Sequence, residues 1–235
     1  MQNFFQRLDP ESCTCAYILV DESSRKAVLI DPVREQVDRD LTLLNEHQLT
    51  LEWILETHVH ADHVTGAAQL QAATHAATAV SELAGVACAS RHLHEGETVT
   101  FGEQSLSVIA IPGHTAGCVS YLWRDRLFSG DALLIDGCGR TDFQEGDPGQ
   151  LYDSIAGKLF ALPDETLVYP AHDYSGRQVT TIGEQRQANP RLAGKSREAF
   201  IDLMDKLDLD APRKIQVALP ANRLCGREPT LNELM

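Results

Sequence analysis

The sequence predicts an α/β fold in which two β-sheets pack face to face and helices cover the outer faces, a four-layer αββα sandwich. Two observations predict this class. Short apolar runs bounded by turn residues indicate strands in both halves of the chain, and apolar residues spaced three or four apart indicate helices beside them. No linker, repeat or low-complexity segment divides the 235 residues, so we predict a single domain over residues 1–235.

The first third of the chain alternates predicted strands with predicted helices. The strands cover residues 16–20, 27–30 and 51–55. Four apolar residues after the second strand share one helical face, and they are Val33, Val37, Leu41 and Leu44. Asp31 and Pro32 predict where this helix begins, with the aspartate as its cap and the proline at its first position. The run 64–77, rich in Ala and Leu, predicts a second helix.

The rest of the chain begins with a run of strands. They cover residues 98–101, 105–111, 119–123 and 127–128, and the Gly-containing turns between them predict an antiparallel meander. A helix over 148–162 and a strand over 166–169 follow, and a last amphipathic helix covers 196–207. The remaining residues are Pro-rich and are predicted to be irregular.

The composition is strongly acidic, with a formal net charge of −14. An acidic surface repels phosphate backbones and anionic lipid, so we expect neither nucleic acid nor a membrane as a partner. An anionic small substrate would need a local arginine to bind. The first residues contain no apolar run of signal-peptide length, and nowhere is an apolar run long enough to span a bilayer. We therefore expect a cytoplasmic protein.

The six cysteines are scattered, and Cys-x-x-Cys spacing does not occur. This arrangement indicates neither a disulfide framework nor a structural zinc site, so we expect mostly reduced thiols. The cysteines are Cys13, Cys15, Cys88, Cys118, Cys138 and Cys225.

Three imidazoles and a carboxylate lie within six consecutive positions just after the strand predicted at 51–55. Imidazole and carboxylate groups suit zinc and iron at neutral pH. On an extended chain His58 and His60 point the same way, whereas Asp62 and His63 follow the turn and face elsewhere. A surface histidine cluster is the alternative, but such tracts lack the interleaved aspartate. The segment therefore predicts a metal site.

Three further candidate ligands each follow a predicted strand, where loops gather ligands. They are His114, Asp131 and His172, and glycine or alanine precedes each one. A small neighbour lets the backbone approach closely. The other four histidines lie in polar segments, and we assign them to the solvated surface. These are His47, His75, His92 and His94.

These motifs resemble those of the metallo-β-lactamase superfamily. They are His-x-His-x-Asp-His at 58–63, Pro-Gly-His-Thr at 112–115, Gly-Asp at 130–131 and Ala-His-Asp at 171–173. The resemblance implies the αββα metallo-β-lactamase fold, with the site at one edge of the sandwich. It does not define the reaction, because hydrolases, oxidoreductases and nucleases all use this ligand set.

Within the superfamily, two glutathione-handling branches fit best, the glyoxalase II type thioesterases and the persulfide dioxygenases. Four segments resemble the second branch, and they are 129–144, 169–174, 189–192 and 220–226. Glyoxalase II enzymes carry a C-terminal helical domain, for which little chain remains after Leu192. The resemblance to persulfide dioxygenases therefore covers nearly the whole chain.

The family resemblance implies one iron(II) per chain, held by His58, His114 and Asp131. Two imidazoles and a carboxylate on one face leave positions for a sulfur and dioxygen. The same resemblance implies that the remaining four candidates surround the iron without binding it, although they could instead hold a second metal ion, as in a dinuclear hydrolase. These four are His60, Asp62, His63 and His172.

The resemblance also implies the substrates, which are glutathione persulfide and O₂, and the products sulfite and glutathione. Arg140 is the best candidate to bind a glutathione carboxylate, but it could instead hold the loop before it in place. Tyr174 could donate a hydrogen bond to bound sulfur or oxygen. A homodimer is implied as well. The alternatives are a glyoxalase II-type hydrolase and a sulfur-binding module without activity, but the intact ligand set disfavours the module.

Overall fold

The structure is a computed structural model that describes residues 3–174 and 176–228. The chain forms two compact units. The first contains the described residues of 1–93, 100–105 and 211–235, and the second contains those of 94–99 and 106–210. Among the described residues, no helix has both the length and the apolar character needed to cross a membrane. The single domain expected over residues 1–235 stays a prediction.

A mixed six-stranded sheet forms the centre of the first unit. Its strands, in spatial order, are β1 (Phe4–Leu8), β2 (Cys15–Asp21), β3 (Lys26–Ile30), β4 (Thr50–Leu55), β5 (Ala77–Ser81) and β6 (Arg91–Leu93). The first three strands pair antiparallel, and β3 to β6 pair parallel. Helices α1 (Val37–Glu46) and α2 (Ala67–Thr74) bury Leu44 and Leu70 in the same core as Ile18 and Leu29 of the sheet.

A second mixed sheet contains the predicted meander. Its strands are β7 (Thr98–Phe101), β8 (Gln104–Ala110), β9 (Val119–Trp123), β10 (Arg126–Gly130), β13 (Leu167–Pro170) and β14 (Thr180–Thr181). Between β10 and β13 lies a small hairpin of β11 (Leu133–Leu134) and β12 (Gly137–Cys138). The sheet order is β14, β13, β10, β9, β8 and β7. Strand β10 pairs antiparallel with β9 and parallel with β13.

Three helices pack in the core of the second unit. They are α3 (Pro148–Gly157), α4 (Ile182–Ala188) and α5 (Arg197–Met204). Leu151 and Ile155 of α3 share one apolar cluster with Phe200 of α5 and with Leu127 and Val168 of the sheet. The helical stripe predicted over 148–162 therefore faces the core.

The predicted start of the first helix is wrong. Helix α1 begins at Val37, after a 3₁₀ turn over Arg34–Gln36, and Asp31 caps nothing. Asp31 instead has a left-handed backbone with φ of 51°, and its buried carboxylate accepts hydrogen bonds from Thr57. The Asp31 carboxylate therefore bonds to Thr57, 26 residues away, and does not cap the helix that follows it in the sequence.

The second helix is shorter than predicted. It covers Ala67–Thr74 and ends where His75 adopts a left-handed conformation with φ of 63°. Ala77, the predicted last helical residue, begins β5 instead. Alanine is helix-forming by local propensity, but tertiary context overrides such a weak preference.

The region predicted to be irregular contains a helix, α6 (Ile215–Asn222), with Pro220 inside it. Proline in a helix interior removes one backbone hydrogen bond and is unfavourable by about 3 kcal/mol. Packing offsets this cost, because Ala218 and Ala221 are buried against Val64. Helix α4 was also absent from the sequence prediction.

Four of the six cysteines are thiols, which confirms the expectation that most are reduced, but the remaining two are oxidised. Cys88 and Cys225 form a disulfide, with their Cα atoms 6.1 Å apart. The two residues are 137 positions apart in sequence, so local spacing gives no sign of the bond.

Candidate metal centre

The histidine-rich segment follows β4 directly and is buried. His58, His60 and His63 are 4%, 1% and 0% exposed, which excludes the surface-cluster alternative. His60 Nε2 lies 3.1 Å from Asp31 Oδ1 and 3.6 Å from Glu56 Oε2. Buried imidazoles beside buried carboxylates indicate a site that favours positive charge.

A hydrogen-bonded chain fixes the orientation of His58. The Asp31 carboxylate accepts from the Thr57 amide at 2.7 Å and from the Thr57 hydroxyl at 2.8 Å. Thr57 Oγ1 also lies 3.0 Å from His58 Nδ1. Because the single hydroxyl proton is donated to the carboxylate, Oγ1 must accept the proton of Nδ1. The chain therefore leaves the lone pair of His58 on Nε2, where it can bind a metal ion.

The charges around this segment act on its titratable groups. Burial raises the pKa of Glu56 to about 8, although the neighbouring His60 acts in the opposite direction. Burial disfavours the charged form of His60, but Asp31, Asp62 and Glu56 together raise the pKa of its imidazole to about 10. The carboxylates therefore stabilise a cation at this position.

Asp62 and His63 contact each other and Thr14. Asp62 Oδ2 lies 3.0 Å from His63 Nδ1, and Thr14 Oγ1 donates to the same oxygen at 3.0 Å. His60, Asp62 and His63 each offer a ligand atom, and these atoms lie within 4.8 Å of one another. The structure therefore brings together three of the four residues predicted to surround the iron or to bind a second ion.

In the second unit, Asp131 lies between two imidazoles. Its Oδ2 atom is 3.6 Å from His114 Nε2 and 3.6 Å from His172 Nε2. Two ligands that are each about 2.1 Å from one ion lie about 3.0–3.4 Å apart, so these separations suit a metal ion beside Asp131. His114 and His172 are buried, as protein ligands of a metal usually are. The donor atoms of these three residues therefore suit a metal ion, and which of them bind iron stays a prediction.

Arg140 is held by contacts within the protein. Its Nε and Nη2 atoms donate to Asp142 at 2.6 Å each, and Nη1 donates to the carbonyl oxygen of Asp210 at 2.6 Å. The hydrogen bond from Arg140 holds the pKa of the Asp142 carboxyl below its usual value. These contacts tie Arg140 to residues 142 and 210, and both roles considered for it, holding the loop before it and binding substrate, stay predictions.

Tyr174 is 76% exposed, and its ring stacks on His172 with the ring centres 5.6 Å apart. The phenol is therefore close to one candidate ligand, and its contact with substrate stays a prediction. The four histidines assigned to the surface are half-buried or exposed. Asp31 and Thr57 also contribute to the site, and the ligand motifs do not contain them; the signal for both is that each follows the end of a strand, β3 and β4.

Two mixed sheets with flanking helices, together with clusters of histidine and aspartate, define the class of this protein. A model of the metallo-beta-lactamase superfamily matches residues 9–172, and the chain belongs to that superfamily. This match confirms the predicted metallo-β-lactamase fold class, with two mixed sheets and flanking helices.

Relatives that match nearly the whole chain identify the family within this superfamily. The chain is 48% identical to mouse persulfide dioxygenase ETHE1, mitochondrial, over 94% of its own length and 87% of the mouse protein. The human protein of the same name is 46% identical over the same shares. The crystal structure of ETHE1 from Myxococcus xanthus is 53% identical, with a TM-score of 0.94 over 96% of this chain and 100% of that chain. The chain therefore belongs to the persulfide dioxygenase family, as its motifs predict.

Proposed function

We propose that this chain oxidises glutathione persulfide with O₂ and water to sulfite, glutathione and two protons. The observation that carries the proposal is the identity of 48% to a persulfide dioxygenase over nearly the whole chain. The buried histidines and carboxylates are groups that bind metal ions, as a metal-dependent reaction requires.

The proposed cofactor is one iron(II) per chain, held by His58, His114 and Asp131. When bound, ferrous iron supplies redox chemistry and open coordination positions for sulfur and O₂, which zinc with its filled d shell cannot supply in full. His60, Asp62, His63 and His172 would surround the ion and orient its ligands. The alternative is that they hold a second ion, and the 3.6 Å separation between Asp131 and His172 is compatible with it.

Hydrogen bonds within the chain fix the tautomers of two imidazoles, those of His58 and His114. The Asp31 and Thr57 side chains keep the proton of His58 on Nδ1. The backbone carbonyl of Arg140 does the same for His114. Both rings therefore present an unprotonated Nε2 without any rearrangement, which lowers the cost of binding the metal.

Substrate binding requires a local cation, since the chain carries a net charge of −14 and glutathione persulfide is anionic. We propose Arg140 for a glutathione carboxylate and Tyr174 for a hydrogen bond to bound sulfur or oxygen. The side chain of Arg140 is 15% exposed, so it could contact substrate while it keeps its bonds to Asp142.

The remaining predictions concern location and assembly. A cytoplasmic location and a homodimer stay predictions. The mouse and human relatives are named as mitochondrial proteins.

Metal analysis combined with oxygen uptake tests the proposed function. Protein loaded anaerobically with Fe²⁺ should consume O₂ with glutathione persulfide, and the variant His114→Ala should retain no iron and consume none. The variant His94→Ala is the control, because that imidazole is exposed. Two metal ions per chain, with hydrolysis of S-lactoylglutathione and no oxygen uptake, would instead support the glyoxalase II-type hydrolase.

A further inference from the structure

Asn222, the last residue of α6, makes three hydrogen bonds to the backbone of the histidine-rich segment. Its Nδ2 atom donates to the carbonyl oxygens of His60 at 2.8 Å and His63 at 2.9 Å, and its Oδ1 atom accepts from the Thr65 amide at 2.8 Å. One side chain from a distant helix therefore fixes the backbone at three points between the first histidine and α2.

These bonds use both donors and one acceptor of the amide group, and the side chain is 5% exposed. Water has little access to such a site, so loss of the side chain would leave backbone groups of the segment without partners. Asn222 lines a cavity together with His58 and His60, and a smaller residue at position 222 would enlarge that cavity. The path of this segment therefore depends on Asn222.

The residues after Asn222 hold it in place. The Cys225 carbonyl accepts from the amide of Ala68 in α2 at 3.0 Å, and Cys225 is bonded to Cys88. Gly226 has φ of 86°, and a Cβ atom there would lie 2.3 Å from the carbonyl oxygen of Thr65. Only glycine allows this close approach. The chain from 222 to 226 is therefore tied to the end of the segment that Asn222 contacts.

We propose that Asn222 is a positioning residue for the metal centre. By holding the carbonyls of His60 and His63 and the amide of Thr65, it sets the backbone path on which His58 and its neighbours stand. This inference rests on the proposed metal site and adds a residue that the ligand motifs do not contain. Side chains that orient metal ligands contribute about 10-fold to 100-fold to metal affinity.

The test is the Fe²⁺ affinity of Asn222→Ala, measured anaerobically by competition with a chromophoric chelator. We expect a loss of about 10-fold to 100-fold. The control is Leu44→Ala, which destabilises the same unit through its core without touching the histidine-rich segment. Its affinity should stay within about threefold of wild type. Asn222→Ser, which leaves a smaller cavity, provides a second variant in case the alanine form does not fold, and it should also lose affinity.

Two further readouts separate positioning from general stability. Bound Co²⁺ should show a changed visible absorption spectrum in the Asn222 variants and an unchanged one in Leu44→Ala. The rise in Tm on metal binding should shrink in the Asn222 variants alone, since it reports affinity for the folded state.

The outcomes distinguish this inference from the proposed function. If wild type binds Fe²⁺ tightly and both Asn222 variants bind it equally well, with an unchanged Co²⁺ spectrum, then Asn222 has no positioning role. If the wild-type protein binds neither Fe²⁺ nor Co²⁺, the proposed metal site fails as well.

Discussion

The Nδ1 atom of His114 donates a 2.6 Å hydrogen bond to the backbone carbonyl oxygen of Arg140. A carbonyl oxygen can only accept, so the proton of the ring must stay on Nδ1. The lone pair then remains on Nε2, which faces Asp131. The backbone carbonyl of Arg140 therefore fixes His114 in the tautomer that can bind a metal ion through Nε2. A substitution that moves the loop around Arg140 should disturb the site.

Gly139 offers a direct test of this relationship. A Cβ atom at position 139 would lie 2.3 Å from the carbonyl oxygen of Asp131 and 2.8 Å from the ring of His114. Gly139→Ala should therefore displace one of these two residues and weaken Fe²⁺ binding by about 10-fold, a loss typical of disturbed metal ligands, so that less iron stays on the chain. Atomic absorption of anaerobically loaded protein measures it.

Gly157→Ala is the matched control. A Cβ atom there meets nothing within 4 Å, and alanine favours the helix in which residue 157 lies. This variant should keep its iron and gain slightly in stability. Equal iron contents in the two variants would contradict the prediction that the close packing at Gly139 supports iron binding.

Thr57→Val should weaken metal binding by about 10-fold or more, because valine has the shape of threonine but lacks its hydroxyl group. The chain from Asp31 to His58 would then be interrupted, and His58 could carry its proton on either nitrogen. Chelator competition measures the affinity. Thr57→Ser keeps the hydroxyl and should bind like wild type, whereas a serine variant as weak as the valine variant would locate the effect in packing.

Arg140→Ala should raise the KM for glutathione persulfide about 10-fold or more, with a smaller change in kcat, if the guanidinium binds a substrate carboxylate. Steady-state oxygen uptake provides both constants. Asp142→Asn is the companion variant, because it removes the negative charge beside Arg140 and keeps the cation. An unchanged KM in Arg140→Ala, together with a lower Tm, would assign Arg140 to holding the loop.

Asp21 should make stability depend on pH. Its buried carboxylate accepts hydrogen bonds from Ser24 Oγ and from the Glu103 amide, and these bonds hold its pKa well below the usual range. A lowered pKa stabilises the fold above the ordinary carboxyl pKa of about 4, and the contribution disappears as the pH falls toward the folded-state value.

The variant Asp21→Asn should accordingly cost about 1–3 kcal/mol at pH 7 and less with each step below about pH 4. Urea unfolding at several pH values measures the difference from wild type. Asp208→Asn changes an exposed carboxylate and serves as control. A cost that does not vary between pH 7 and pH 3 would contradict the assignment.

Patterns within short stretches predicted much of the fold and the candidate ligands. Strand β9 has the predicted bounds, β4 begins one residue earlier than predicted, and β2 extends one residue further at each end, because buried apolar runs are visible locally. The histidine motif and the strand ends at His114 and Asp131 were identified in the same way, and each lies in a cluster that suits a metal ion.

Features that depend on distant partners could not be predicted. Asp31 accepts a hydrogen bond from Thr57 and does not cap a helix as expected. Asn222 contacts backbone about 160 residues away. The bond between Cys88 and Cys225 spans most of the chain. Helix α6 exists despite its proline because of packing that no local pattern contains. Each of these features forms only after the fold has brought its partners together.

We propose above all that a single ferrous ion is held by His58, His114 and Asp131. The most direct test is a crystal of anaerobically iron-loaded protein, with diffraction data collected above and below the iron absorption edge. We predict one anomalous peak per chain, within about 2.1–2.2 Å of Nε2 of both histidines and of the Asp131 carboxylate. Two peaks bridged by Asp131, with the second bound by His172, would contradict it.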